Sequence, residues 1–258
     1  MICKLTGKSG PGVKAHIVPE AFYLIKADQA PLRLLTNTPG RFPKRSPVGA
    51  YDETMVTSDG EAVFGPWDNY AADLLLNHFA DAEPLTHSDS RVVGYRFASY
   101  DYRKLKLFFL SVLWRAGASS HEFFRRVDLG AHFDVLKSHI LAADPGTPDD
   151  YAVVLAVFDD DPEWAKIMDP FPERYGENRI RFYRLYVGNF IAYVKVDKRV
   201  ADSPMRDLQF TPDTPLNIVK RTFAESKESG VMKEVLLQNE GRTTASTVPL
   251  TRGGSTSG

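Results

Sequence analysis

Two neighbouring segments of the chain carry opposite charge, and this asymmetry is the first feature that could do chemistry. Residues 1–50 hold eight Lys or Arg side chains against two acidic ones, whereas residues 51–90 hold nine acidic side chains and no Lys or Arg. A basic surface attracts a phosphate backbone, and grouped carboxylates hold divalent cations. The alternative is that the two segments neutralise each other on one surface, which requires no ligand.

The basic charge is concentrated in and around a loop that also contains an aromatic residue. Residues 36–50 have Pro or Gly at five positions, which predicts irregular structure rather than a helix or a central strand. Four Lys or Arg residues in this loop or shortly before it are candidates for contacts with phosphate groups, and Phe42 of the loop could stack on a base. These candidate nucleic-acid-binding residues are Arg33, Arg41, Lys44 and Arg45.

Composition narrows the class of protein. Apolar residues at 43% and charged residues at 25% are typical of a globular chain and exclude a collagen-like or disordered one. Cys3 is the only cysteine, so one chain forms no internal disulfide and no cysteine-based zinc site. No segment approaches the roughly 20 apolar residues of a membrane-spanning helix, and no secretion signal is evident. We therefore expect a cytoplasmic protein without membrane contact.

The elements of the first half are predicted to be short. Pro19 suits the first turn of a helix through residue 25, so His16 stands just before a helix. Asp68 is an N-cap type of residue, and the run 69–79 has helical composition. The polar cluster over residues 86–90 ends this unit, which places a domain boundary near residue 88.

The second half is predicted to consist of helices followed by strands. A strand over Arg91–Ser99 precedes a helix capped by Asp101, whose apolar residues recur at spacings of three and four and mark it as core. Ser119 with Glu122 resembles a capping box that opens another helix. The remaining predicted elements are a helix over 131–142 and strands over 152–158, 180–187 and 190–196, with a Gly-Asn hairpin turn between the last two. The segments 216–226 and 232–238 are predicted to form a closing helix or a pair of helices.

This order of elements predicts the α+β class. A small module over residues 1–88 is followed, over 89–240, by a domain of helices packed on an antiparallel sheet. From residue 241 the composition falls to mostly Gly, Ser, Thr and Arg, which predicts a disordered tail over 241–258.

Four short motifs in residues 1–70 follow the order and spacing of a known family. They are Cys3-Lys4-Leu5-Thr6, Ala15-His16-Ile17-Val18-Pro19, Val56-Thr57-Ser58-Asp59-Gly60-Glu61 and Trp67-Asp68-Asn69-Tyr70. The chain resembles a bacterial HNH-endonuclease-like family, whose members show a Cys-x-x-Cys pair, a Ser-His-Ile-Ile-Pro motif, a second Cys-x-x-Cys pair followed by Glu, and a Trp-Asp-x-Tyr type of segment. The resemblance extends weakly to the Leu-Trp-Arg-Ala stretch around Trp114.

The resemblance implies a degenerate site for phosphodiester cleavage. His16 matches the general base that activates water, Asp52 matches the residue that orients this base, and Glu61 matches a ligand of a catalytic Mg²⁺ or Mn²⁺. Of the four thiolate positions of the family's structural zinc only Cys3 is kept, so no structural zinc is expected. The other three positions hold Thr6, Thr57 and Gly60.

Other interpretations of these residues stay open. A single His before a helix is more often a capping or core residue than a catalyst, and Asp52 and Glu61 individually look like solvated surface acids. We expect a nucleic-acid-binding or scaffold protein derived from an HNH-type nuclease, with DNA, RNA or a protein as its partner. The alternatives are a weakly active metal-dependent nuclease that uses His16 as general base, and a purely protein-interaction module.

Overall fold

The computed structural model describes residues 1–23, 49–159, 168–231 and 233–234, together with the backbone of residues 33–34 and 44–45. The helix predicted after Pro19 begins as a 3-10 turn, Glu20–Tyr23. Arg41, Phe42 and the predicted tail over 241–258 lie outside the described residues.

The amino-terminal part of the chain contains two short antiparallel ladders and one helix. Its strands are β1 (Ala15–His16), β2 (Arg33–Leu34), β3 (Lys44–Arg45) and β4 (Tyr51–Asp52). β1 pairs with β4, and β2 pairs with β3. The helix α1 (Ser58–Ala72) follows β4 closely. β1, β4 and α1 therefore form a ββα unit, and the β2–β3 ladder is inserted between its two strands.

α1 begins at Ser58, so the predicted start near Asp68 was wrong. Pro66 lies inside the helix, where it removes a backbone hydrogen bond and lowers helix propensity. An apolar stripe with spacings of three and four residues nevertheless packs into the core, and this burial outweighs the local penalty. The buried apolar side chains of this stripe are Phe64, Trp67 and Ala71.

The longest helix is the centre of the molecule. α2 (Tyr102–Ala118) begins at the predicted cap, because the Asp101 carboxylate accepts a hydrogen bond from the Lys104 N–H at 2.9 Å. Every residue from 105 to 116 is buried, which confirms α2 as a core helix. The predicted helix after residue 131 is also confirmed, as α3 (His132–Ala142). In the described part of the chain, no helix is long and apolar enough to cross a membrane.

The segment after α2 does not form a helix capped by Ser119. It contains a 3-10 turn, Glu122–Phe124, whose cap is His121. The hydroxyl groups of Ser119 and Ser120 instead donate to the Asp52 carboxylate. A contact with a distant part of the chain therefore overrides the local capping signal.

The remaining strands form one sheet, so the chain is of the α+β class, as predicted. The strands occur in the spatial order β5-β6-β11-β7-β10-β9-β8. The predicted turn at Gly188-Asn189 is confirmed between β9 and β10. The seven strands are β5 (Glu83–Thr86), β6 (Val92–Phe97), β7 (Val153–Phe158), β8 (Phe171–Tyr175), β9 (Ile180–Val187), β10 (Phe190–Lys195) and β11 (Leu216–Arg221).

The sheet is mixed rather than wholly antiparallel, because β11 lies parallel to β7. The helix predicted over 216–226 was therefore wrong: residues 216–221 form β11, residues 222–226 form a bend and a turn, and helical residues begin only at Lys227. Leu216 and Ile218 are buried on one face of β11, and this alternation suits a strand in the middle of a sheet. Pairing with β6 and β7 on both sides, which involves distant parts of the chain, selects the strand.

The predicted domain boundary near residue 88 falls in the turn that joins β5 to β6. Buried apolar side chains form one continuous cluster from Cys3 to Ile218. The ββα unit therefore shares its core with the sheet, and α1 packs directly on α2.

Candidate functional site

The four positions that match the family's thiolate pairs come together around one atom, the Sγ of Cys3. Thr6 donates its backbone N–H to this sulfur at 3.4 Å. Thr57 hydrogen-bonds to Cys3 through its main chain and through its side chain. A Cβ placed on Gly60 would lie 2.7 Å from the sulfur. The fold thus brings two pairs of positions around one sulfur, one pair on a turn and one at the start of α1.

The backbone around Cys3 forms a tight turn that holds the sulfur in place. The Gly7 N–H donates to the Cys3 carbonyl and the Cys3 N–H to the Lys8 carbonyl, both at 2.9 Å. Gly7 has a φ of +72°, which a residue without a side chain adopts at little cost. Burial raises the pKa of the thiol, but hydrogen bonds from Thr6 and Thr57 outweigh it and lower the pKa to about 7. Cys3 therefore has thiolate character near neutral pH.

Restoring the three missing thiols is expected to restore a metal centre. In the variant Thr6→Cys/Thr57→Cys/Gly60→Cys, four sulfurs converge as the tetrahedral set that Zn²⁺ prefers. The Cys3 thiol must rotate away from the new Cβ, which is a small change because the Sγ ends the side chain. We expect a tetrahedral Co²⁺ absorption spectrum, and a rise in unfolding free energy of about 4 kcal/mol when Zn²⁺ is 1,000-fold above its Kd.

The matched control adds Cys3→Ser to the triple variant, which removes one thiolate and leaves the rest of the turn. This control should lose the tetrahedral spectrum and most of the zinc-dependent stabilisation. A folded triple variant whose unfolding midpoint ignores Zn²⁺ would contradict the ligand-pair geometry.

His16 is held in β1 by both its main chain and its ring. It is half-buried and lies directly opposite Tyr51, with the two ring centroids 6.0 Å apart in an edge-on arrangement. Lys14 Nζ lies 4.3 Å from the centroid of the same Tyr51 ring. The His16 carbonyl accepts a hydrogen bond from the Arg115 guanidinium at 3.1 Å. His16 thus belongs to the surface next to Tyr51.

Asp52 has a structural set of partners. One carboxylate oxygen accepts from the N–H and the hydroxyl of Thr54, both at 2.7 Å. The other accepts from the Ser119 hydroxyl at 3.0 Å, the Ser120 N–H at 2.5 Å and the Ser120 hydroxyl at 2.9 Å. Burial alone raises the pKa of Asp52, but the hydrogen bonds from Thr54 and Ser120 hold it well below its usual range. This carboxylate fastens β4 to the end of α2.

Glu61 lies in the first turn of α1, in an environment set by Arg115. Its Oε2 is buried and has no hydrogen-bond partner among the described residues. Burial raises the pKa of Glu61, the Arg115 charge lowers it, and the Asp68 charge raises it further. Arg115 itself is fully buried and donates to both carboxylate oxygens of Asp68, at 2.7 and 2.9 Å.

The structure therefore brings Glu61 and the main chain of His16 close to Arg115, and it holds Asp52 elsewhere. Asp52 is paired with Ala15, the neighbour of His16, so its side chain lies on the opposite face of the β1–β4 ladder from His16. An open cavity of about 270 Å³ beside Asp52 is lined by residues of β4 and of the turn after α2. These lining residues are Tyr51, Asp52, Glu53, Ser120 and His121.

Reasoning from the sequence did not select Arg115 or Asp68 as site residues. Both belong to stretches that carry the resemblance, since Asp68 follows Trp67 and Arg115 follows Trp114. Their ion pair physically joins the two stretches. An acid and an arginine in matching motifs far apart in sequence are the signal that could have identified this contact.

The β2–β3 ladder contains three of the four candidate nucleic-acid-binding residues. Its register pairs Arg33 with Arg45 and Leu34 with Lys44. The backbone pairing of these two strands therefore brings the three basic positions together.

The chain has no significant match among protein-family models, curated proteins or solved structures. Among the described residues, no group of three or more His, Cys, Asp or Glu side chains could hold a metal ion. Function is therefore inferred from the geometry of the ββα unit and its inserted ladder.

Proposed function

We propose that this protein binds nucleic acid through the β2–β3 ladder and uses the ββα unit, which derives from an HNH-type nuclease, as a scaffold. The observation that carries the proposal is the insertion of this ladder, with Arg33 opposite Arg45, between the two strands of the ββα unit. Each arginine guanidinium is planar and can donate two parallel hydrogen bonds to the oxygens of a phosphate group. Phosphate contacts of this kind give affinity without reading base sequence.

The contacts of β1 and β4 with α2 support the scaffold role. β1 is fixed by the Arg115 hydrogen bond to His16, and β4 is fixed by the Asp52 contacts with Ser119 and Ser120. Both strands that flank the ladder in the chain are thus anchored to α2.

The partners of the carboxylates favour binding over cleavage. Asp52 accepts five hydrogen bonds from Thr54, Ser119 and Ser120. It lies on the opposite face of the β1–β4 ladder from His16. It has a complete structural role without orienting a base. Burial raises the pKa of Glu61, and the neighbouring Arg115 charge would repel a metal cation at this carboxylate.

Removing charge from the ladder is expected to weaken nucleic-acid binding. The variant Arg33→Gln/Lys44→Gln/Arg45→Gln should bind single-stranded DNA and RNA at least about tenfold more weakly in fluorescence anisotropy. The slope of log affinity against log salt should fall by about 0.7 for each phosphate group of a single strand that the variant no longer neutralises. A matched control variant with the same charge change replaces three exposed cations outside the ladder. Its substitutions are Arg91→Gln, Lys104→Gln and Arg206→Gln.

Equal weakening in both triple variants would show that net charge, not the ladder, governs the affinity. No binding by the wild-type protein would leave the protein-interaction alternative in its place. Plasmid or RNA incubated with Mg²⁺ or Mn²⁺ tests the nuclease alternative in parallel. Cleavage by the wild type that chelator and His16→Ala both abolish would establish that alternative.

A further inference from the structure

A second basic site lies at the β8 edge of the seven-stranded sheet, remote in sequence from the β2–β3 ladder. An open cleft of about 620 Å³ there is called the edge cleft below. Its volume falls in the range of about 300–1,000 Å³ that is usual for small-ligand sites. The lining residues are Pro172, Glu173, Arg174, Arg179, Arg181 and Lys227.

Two of these arginines are direct cross-strand neighbours. The register of β8 and β9 pairs Arg174 with Arg181, so two positive charges share one face. Arg174 donates to the Arg179 carbonyl at 3.1 Å, and Arg181 donates to the Asp128 carbonyl and the Tyr183 hydroxyl. None of these acceptors carries a negative charge. Within the described part of the chain, neither Arg174 nor Arg181 forms an ion pair.

Arg179 brings a third guanidinium to the cleft from a strained backbone position. It ends the turn between β8 and β9 with a φ of +54°, in the left-handed region that Gly and Asn adopt more readily. Holding another residue type there costs on the order of 1 kcal/mol and is often associated with a functional site. Arg179 also has no ion-pair partner among the described residues.

The one carboxylate of the lining is already neutralised from inside the protein. Glu173 pairs with Arg184 at 2.5 Å and also with Lys227 and the Tyr175 hydroxyl. It is therefore engaged and does not offset the three arginines. The charge of Arg181 also reaches beyond the cleft: burial lowers the pKa of His132, and the charges of Arg181 and Lys198 lower it further.

The lining indicates which anion fits. Guanidinium groups bind phosphate oxygens through paired hydrogen bonds. The described lining residues include no aromatic side chain, so the cleft lacks a surface on which a nucleobase could stack. A cleft much larger than one phosphate, with three separate guanidinium groups, suits several phosphates in a row.

We infer that the edge cleft binds a linear chain of phosphate groups through Arg174, Arg179 and Arg181. The chain is either a free polyphosphate or the backbone of a single-stranded nucleic acid. This site is independent of the β2–β3 ladder and does not require that the ladder bind nucleic acid.

Tripolyphosphate and a short oligothymidylate are the two probes, and binding is measured by titration calorimetry. The test variant is Arg174→Gln/Arg179→Asn, in which Asn tolerates the left-handed backbone at 179. The control variant Arg91→Gln/Lys104→Gln removes the same charge from exposed positions outside the cleft. We expect the wild type and the control to bind tripolyphosphate alike, and the test variant to bind it at least about tenfold more weakly.

Oligothymidylate binding that the test variant loses, without tripolyphosphate binding, would support the site and identify its ligand as a nucleic-acid backbone. Wild-type protein that binds neither probe, or test and control variants that weaken equally, would overturn the inference. A test variant that binds normally but aggregates would also overturn it, because the arginines would then serve to protect an open sheet edge. The ladder variant should bind tripolyphosphate like the wild type, which separates this test from that of the ladder.

Discussion

Replacement of Arg184 by Leu is expected to lower the free energy of unfolding by about 3–5 kcal/mol, because it leaves the buried Glu228 carboxylate without its closest cation. Arg184 is 3% exposed and contacts Glu228, which is 1% exposed, at 2.5 Å. Its other nitrogen contacts Glu173 at 2.5 Å. The Tyr186 hydroxyl also donates to Glu228, at 2.9 Å. This network fastens the segment after β11 to the sheet.

A double-mutant cycle measures the interaction between Arg184 and Glu228. It compares urea unfolding of Arg184→Leu, Glu228→Gln and the double variant with that of the wild type. The double variant should be more stable than the sum of the single losses predicts, because neither a buried Glu228 carboxylate nor a buried Arg184 guanidinium is then left without the other. Lys227→Gln, which removes a 70% exposed partner of Glu173, is the surface control and should cost less than about 1 kcal/mol. Losses below about 1 kcal/mol in both single variants would contradict a stabilising network.

The same pair should make stability depend on pH on the acid side. Burial raises the pKa of Glu228, but the charges of Arg184 and Arg221 and the hydrogen bonds to this carboxylate together outweigh it, and the pKa lies below the usual value. The contribution is therefore fully present above the usual glutamate pKa of about 4.3 and is lost as the pH falls through the lower folded-state value. The stability difference between wild type and Glu228→Gln should shrink over that acidic range.

Replacement of Arg115 by Leu is the second change with a large expected effect, again about 3–5 kcal/mol. Arg115 is fully buried, and its loss leaves Asp68, at 15% exposure, without its two-pronged partner. It also leaves the His16 carbonyl without the hydrogen bond from α2. Asp68 and Glu61 would then repel each other without a neighbouring cation, so α1 should loosen from α2.

Arg115→Lys discriminates between charge and geometry. Lysine keeps the charge but cannot donate in two-pronged fashion, so it should still lose more than about 1 kcal/mol. Lys104→Leu, on the exposed side of the same helix, is the control and should change stability by less than about 1 kcal/mol. A fully stable Arg115→Leu protein in thermal and urea unfolding would show that this ion pair does not anchor the ββα unit.

Local sequence patterns were sufficient to predict an element where its buried residues follow a regular helical spacing. The apolar spacing of α2 and the cap at Asp101 are properties of neighbouring residues, and both were predicted correctly. β11 and the start of α1 depend on distant partners. β11 is a strand because β6 and β7 pair with it on both sides, and α1 continues through Pro66 because its apolar stripe is buried against the core. Local propensity contains no information about either set of partners.

The candidate site shows the same division. The resemblance to the HNH-like family grouped Cys3, Thr6, Thr57 and Gly60 as one set, and the fold gathers them around a single sulfur. The role of Asp52 could not be read from spacing, because its partners Ser119 and Ser120 come from a loop far along the chain. The arginines of the edge cleft were not recognised either, since they converge only when β8 and β9 pair in their register.

Hydrogen–deuterium exchange with and without a single-stranded oligonucleotide tests most directly whether the β2–β3 ladder binds nucleic acid. The result expected is slower exchange in peptides that contain Arg33, Lys44 and Arg45, absent in Arg33→Gln/Lys44→Gln/Arg45→Gln. Slower exchange confined to peptides that contain Arg174 or Arg181, or no change in any peptide, would contradict a nucleic-acid-binding role for the ladder.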